Sequence, residues 1–83
     1  MSEEERKAVW DLYRTITNKD ADWFTVRLYG LISKADLANK ALIAKGFPLE
    51  VETFMKWQAS SDPVKFFAEA GIETSRATAM GLG

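Results

Sequence analysis

Apolar residues recur at helical spacing along most of this chain, and the phase resets at short clusters of polar residues, prolines and glycines. Val9, Leu12, Tyr13 and Ile16 fall at i, i+3, i+4 and i+7, one stripe on one helix. Ser2 with Glu5 three residues on has the capping-box spacing, and Glu3 and Glu4 add negative charge where the helix dipole favours it. A first helix is predicted over about residues 3–17. Trp10 lies off its stripe, with Arg6 and Arg14 one turn to either side. It either stacks between the two guanidinium groups at the surface or packs at the edge of the core.

Asn18 through Asp22 is a polar break, with Asp20 as the expected N-cap and Asp22 adding charge to the first turn. The second helix is predicted over about 21–33. Phe24, Leu28, Leu31, Ile32 and Ala35 form the strongest periodic stripe in the chain, and Val26 and Tyr29 form a weaker apolar face. A helix apolar on two sides is expected at the centre, packed both ways. Gly30 inside it costs about 1 kcal/mol against alanine, which points to a close helix–helix approach or to a break there.

Ser33 and Asp36 offer caps for a third helix over about 36–45, rich in alanine and closed by Lys45 and Gly46. Phe47-Pro48 restarts the chain, with Glu50 and Glu52 close behind, so a fourth helix is predicted over about 48–59. Val51, Phe54, Met55 and Gln58 are expected inward, with Trp57 to the side. Asp62 and Pro63 open a fifth helix over about 63–70, and Ile72 after Gly71 suits the apolar contact that follows a glycine cap. Val64, Phe67 and Ala68 face one way, which leaves Phe66 to pack elsewhere. No run alternates at period two for long enough to propose a strand. The expectation is an all-α, compact bundle of four to five short helices, one domain over 1–72 and a flexible or weakly helical tail over 73–83.

Composition narrows the chemistry. The chain of 83 residues has no cysteine and no histidine. Thiolate catalysis, cysteine-bound metal, and Ser–His–Asp or Cys–His sites are therefore excluded within one chain. Asp20 with Asp22, and Glu50 with Glu52, are the available carboxylate pairs, and capping accounts for both. There is no phosphate-binding glycine loop and no EF-hand spacing. These features argue for a non-enzymatic protein with no cofactor, no metal and no catalytic residue. The charged N-terminus lacks a secretory pattern and no apolar run reaches the ~20 residues of a membrane span, so a cytoplasmic, non-membrane location is expected.

Charge is uneven. Residues 1–22 hold four basic and six acidic side chains, residues 23–46 hold Arg27, Lys34, Lys40 and Lys45 against Asp36, and residues 47–83 hold three basic and five acidic. A basic strip of Arg27, Lys34 and Lys40 follows, readable as a nucleic-acid contact or as a solvated face. The predicted helices at 36–45 and 48–59 have helix-turn-helix lengths, but the second opens with Glu50 and Glu52 and carries only Lys56 as a cation, a poor phosphate reader. Trp10, Trp23 and Trp57 lie outside the main stripes and Tyr29 on the weaker face. Such side chains often anchor interfaces, and a symmetric homodimer would cover the same surface.

The pattern Phe24…Leu28…Leu31-Ile32-x-Lys34-Ala35-Asp36…Asn39…Leu42…Gly46-Phe47-Pro48-x-Glu50-Val51…Trp57 resembles short helical proteins encoded by bacteriophages and prophages of actinobacterial hosts. The resemblance spans residues 23–57 and carries no functional residue over. It implies a setting, a small phage product in a bacterial cytoplasm that binds a host or phage macromolecule. The expected partner surface is Trp23, Arg27, Tyr29, Lys34, Lys40 and Trp57, with Trp10. The expected role is protein–protein interaction; nucleic-acid binding through the basic strip or a degenerate helix-turn-helix at 36–59 is the alternative.

Overall fold

A computed structural model describes residues 1–81, and the last two residues of the expected tail, 82 and 83, lie outside the described residues. Those residues form six helices: α1 (Glu3–Thr17), α2 (Phe24–Lys34), α3 (Leu37–Ala44), α4 (Pro48–Ala59), α5 (Pro63–Ala68) and α6 (Arg76–Ala79). No helix among them is long and apolar enough to cross a membrane.

The starts follow their chemistry. Ser2 and Glu5 close a reciprocal capping box on α1, and Asp36, Asp62 and Ser75 each accept the N–H three residues on at the heads of α3, α5 and α6. Proline opens α4 and α5. The end of α5 is a Schellman closure: Ile72 N–H bonds Phe67 O at 3.0 Å and Gly71 N–H bonds Ala68 O at 2.9 Å, with Gly71 at φ 84°. Phe67 and Ile72, the pair that this motif brings together, are both buried.

The core is a triangle of α1, α2 and α4, each packed on the other two. Val9, Leu12 and Ile16 of α1 meet Leu28, Tyr29 and Ile32 of α2, and Val51 and Phe54 of α4. Phe67, Ala70, Ile72 and Ala79 cap one side of it. An edge-to-face row runs from Trp10 through Tyr13 and Phe67 to Phe66, which is how Phe66 finds its place. α3 is packed chiefly on α4 and has no buried residue.

Several expectations change. α2 begins at Phe24 instead of residue 21, and Asp20 caps nothing: Trp23 is the N-cap, with no side-chain bond, while Ala21 N–H closes a turn on Asn18 O. On α2 the stronger stripe is split between the core and the surface. The weaker face, Val26 and Tyr29, is buried with Leu28 and Ile32, whereas Phe24 and Leu31 of the stronger stripe are 68% and 58% exposed. On α4, Thr53 is buried, while Met55 and Gln58 face outward. Residues 73–81 contain one helical turn, α6, and its Ala79 is fully buried.

Gly30 lies within the unbroken α2, and a Cβ there would meet nothing within 4 Å. It marks neither a break nor a close approach inside the fold. Gly71 also has room for a Cβ, but its φ is in the left-handed region. Alanine at these two positions should therefore act in opposite directions. Gly30→Ala is expected to stabilise by about 0.5–1 kcal/mol and Gly71→Ala to destabilise by about 1 kcal/mol or more, measured by urea denaturation.

Candidate functional site

The residues expected to meet a partner divide into two groups. Tyr29 is 1% exposed, and its hydroxyl donates to Ala8 O at 2.9 Å. It does not reach the surface. Trp10 is half-buried at the edge of the core and donates its indole N–H to Ala70 O at 3.0 Å, so it is not sandwiched between Arg6 and Arg14. Trp57 stacks edge-on against Phe54 and donates to Ala79 O at 2.7 Å. Both indoles thus use their one polar atom to hold the backbone after α5. Lys19 adds a third tie to that segment, its Nζ donating to Gly81 O at 2.6 Å.

The other group stays outward. Trp23 is 54% exposed, and Arg27 and Lys34 are exposed on the same side of α2. At 100° per residue, Trp23, Arg27 and Lys34 fall within one stripe, directly beside the Phe24–Leu31 stripe. The face of α2 turned away from the core is therefore apolar along one edge and cationic along the other. Arg27 is paired with Asp22; Lys34 has no ion-pair partner among the described residues. Lys40 does not extend this strip. It is half-buried and stands 5.7 Å from the centre of the Phe54 ring, on the α4 side of α3.

α3 completes the face. Because α2 and α3 both lean on α4 and are not closely packed on each other, a groove of about 300 Å³ opens between them. It is lined by Leu31, Lys34, Ala35, Asn39, Leu42 and Ile43. Leu42 is 59% exposed, and Phe24 and Phe47 touch across the far end with ring centroids 5.7 Å apart. Phe24 and Leu31 thus share one side of α2, where Phe24 meets Phe47 and Leu31 lines the groove opposite Leu42. Leu37 is exposed too, but it lies five residues before Leu42, well around α3 from the groove. Sequence reasoning placed Phe24 and Leu31 in the core and so missed them as site residues. Two apolar stripes on one helix of a short chain were the available signal.

This arrangement offers area and positive charge. The exposed apolar part amounts to a few hundred Å², the size at which a patch on a monomer marks an interaction site. Against known proteins, the chain matches no family model, no curated relative and no solved structure.

The one large pKa displacement belongs to the core. Burial pushes the Tyr29 phenol well above its usual value, with smaller contributions from Glu50 and Asp11. The folded chain resists ionising this group more than the unfolded chain does. Its contribution to stability is then complete below pH ~10 and falls as pH rises through and beyond that value. In Tyr29→Phe the alkaline loss of stability should be shallower, with a cost of about 1 kcal/mol at pH 7 from the lost hydrogen bond, measured by denaturant titration across pH 7–11.

Proposed function

We propose that the chain is a non-enzymatic interaction protein that binds another protein through the outward face of α2 and α3. The observation that carries this reading is the exposure of Phe24, Leu31 and Leu42 together, on two helices that a third helix holds in place. A side chain that contributed only to folding would gain by turning inward, and α2 has inward positions that Val26, Tyr29 and Ile32 occupy instead. Trp23, Arg27 and Lys34 border the patch and supply a polar and aromatic rim. The phage-type setting belongs to the same proposal: a small protein of a bacterial cytoplasm that acts on a host or phage macromolecule. The stretch that carries the resemblance, 23–57, holds every residue of the face.

Nucleic-acid binding has less behind it. Lys40 is turned toward Phe54, Arg27 is neutralised by Asp22, and on α4 Lys56 is paired with Glu52 at 2.8 Å. On α2 that leaves Lys34 as the cation without an ion-pair partner among the described residues, and one cation gives phosphate contacts little to work with.

The double variant Leu31→Asp/Leu42→Asp tests the reading. Both positions are exposed, so its unfolding free energy should stay within about 0.5 kcal/mol per site of the parent. Binding should nevertheless disappear, both self-association by light scattering and retention of any bacterial protein that the parent chain retains as bait. A parent chain that is monomeric and retains nothing, or a variant that retains the same proteins equally well, overturns it.

A further inference from the structure

We infer that the occupant of this face is a second copy of the chain, docked across a two-fold axis with the two α2 helices antiparallel. The inference rests on the reading of the face as a protein-binding surface and names its partner. Spacing, charge and shape each point the same way.

Phe24 and Leu31 stand seven residues apart on the outward side of α2, both more than half exposed, with Leu28 between them at the floor. A two-fold axis passing between Arg27 and Leu28 brings Phe24 of each copy to Leu31 of its partner. The same axis brings Asp22, just before the helix, to the partner's Lys34 at its end. The two pairings centre within half a residue of each other, although they come from different residues. A parallel pair would instead set Lys34 on the partner's Lys34 and align the helix dipoles.

The charge pattern fits this operator. Asp22 is 80% exposed at its side chain and is drawn onto the outward face by Arg27. Lys34 is exposed and has no ion-pair partner among the described residues. Each copy therefore presents an acid at one end of the seam and a base at the other, the arrangement that a two-fold contact makes complementary twice. Arg27 Nε engages Asp22 Oδ1, which leaves Oδ2 for the partner's Lys34; one carboxylate is then shared by two cations, and each copy brings a small positive excess to the seam.

Shape agrees. Leu31 and Lys34 form a ridge, with the α2–α3 groove on one side and a shallow depression beside Gly30 on the other. A surface that carries a ridge next to a groove can fit its own copy, ridge into groove. The open space at Gly30 lets a second helix approach α2 closely. The patch is small, so two copies bury an area at the low end of specific interfaces, and the dimer should be weak.

Sedimentation equilibrium from ~1 μM to ~1 mM is the test, with circular dichroism confirming that each variant is folded. The parent chain should dimerise, and Leu31→Asp should remain monomeric throughout. Asp22→Lys and Lys34→Glu should each weaken the dimer about tenfold, and the double variant should be tighter than either single one but weaker than the parent, because it restores the cross-copy pairs with their signs exchanged while Arg27 loses its own carboxylate. A second readout does not depend on those charges. The chain has no cysteine, so Arg27→Cys, next to the axis, should cross-link to a covalent dimer under mild oxidation far faster than Glu73→Cys. A parent chain monomeric at ~1 mM, a Leu31→Asp dimer of parent strength, a double variant no tighter than either single one, or equal cross-linking at the two cysteines would each overturn the inference. If the parent is monomeric yet Leu31→Asp/Leu42→Asp loses a protein that the parent retains, the interaction reading survives and the second copy does not. If nothing is lost, both fall.

Discussion

The hydrogen bond from the Tyr29 hydroxyl to the Ala8 carbonyl is what allows α2 to turn its tyrosine into the core. A tyrosine can be buried at little cost only if its hydroxyl finds a partner, because an unpaired one costs on the order of 1–3 kcal/mol. Ala8, on the buried face of α1, supplies that partner. With Tyr29 inward, Val26 and Ile32 turn inward too, and Leu28 reaches the border. Phe24 and Leu31 then have only the outside left. A short chain has too little mass to cover both sides of an eleven-residue helix.

The remaining aromatics show the same economy. Three tryptophans lie off the main stripes in sequence, yet the structure gives them two different roles. Trp10 and Trp57 reach across to the carbonyls of Ala70 and Ala79, and between them they fix the backbone that follows α5. α6 is only four residues long, far too short to persist as an isolated helix. Its Ser75 cap, the burial of Ala79 and the Trp57 bond keep it in place. Trp23 has no such task. It is the N-cap of α2 and makes no side-chain capping bond.

Local grammar was legible in the sequence because it depends on neighbours only. The Ser2–Glu5 box, the Asp36 and Asp62 caps, Pro48, Pro63 and the Gly71–Ile72 closure all act within a few residues, and each stands where the pattern placed it. The orientation of α2 was not legible. Its stronger stripe has more apolar residues than its weaker face, and periodicity weighs both only by hydrophobicity. The buried face takes Leu28 and Ile32 from the stripe and Val26 and Tyr29 from the other face, and the Tyr29 hydroxyl finds its acceptor 21 residues away. The same limit explains Trp10 and Trp57, whose partners lie 60 and 22 residues along the chain. It also explains Lys40, whose place over Phe54 depends on how α3 leans on α4. Of the site, the cationic edge at Arg27 and Lys34 could be read from spacing; its apolar half was hidden inside an expectation about the core.

Exposure of Phe24, Leu31 and Leu42 does not destabilise the fold, since these side chains meet water in the unfolded chain as well. They simply contribute little to folding, and the stability rests on the triangle of α1, α2 and α4. The apolar free energy that folding leaves unused, roughly 1.5–3 kcal/mol for each large side chain fully covered, is still available to association. The lone charge of Lys34, with Arg27 beside it, limits which surfaces can use it: an uncharged apolar surface would have to strip water from those cations without replacing it. A partner must therefore bring anions to the edge as well as apolar surface to the centre. That requirement separates specific binding from simple aggregation, and the same chain meets it in Asp22 and Phe24.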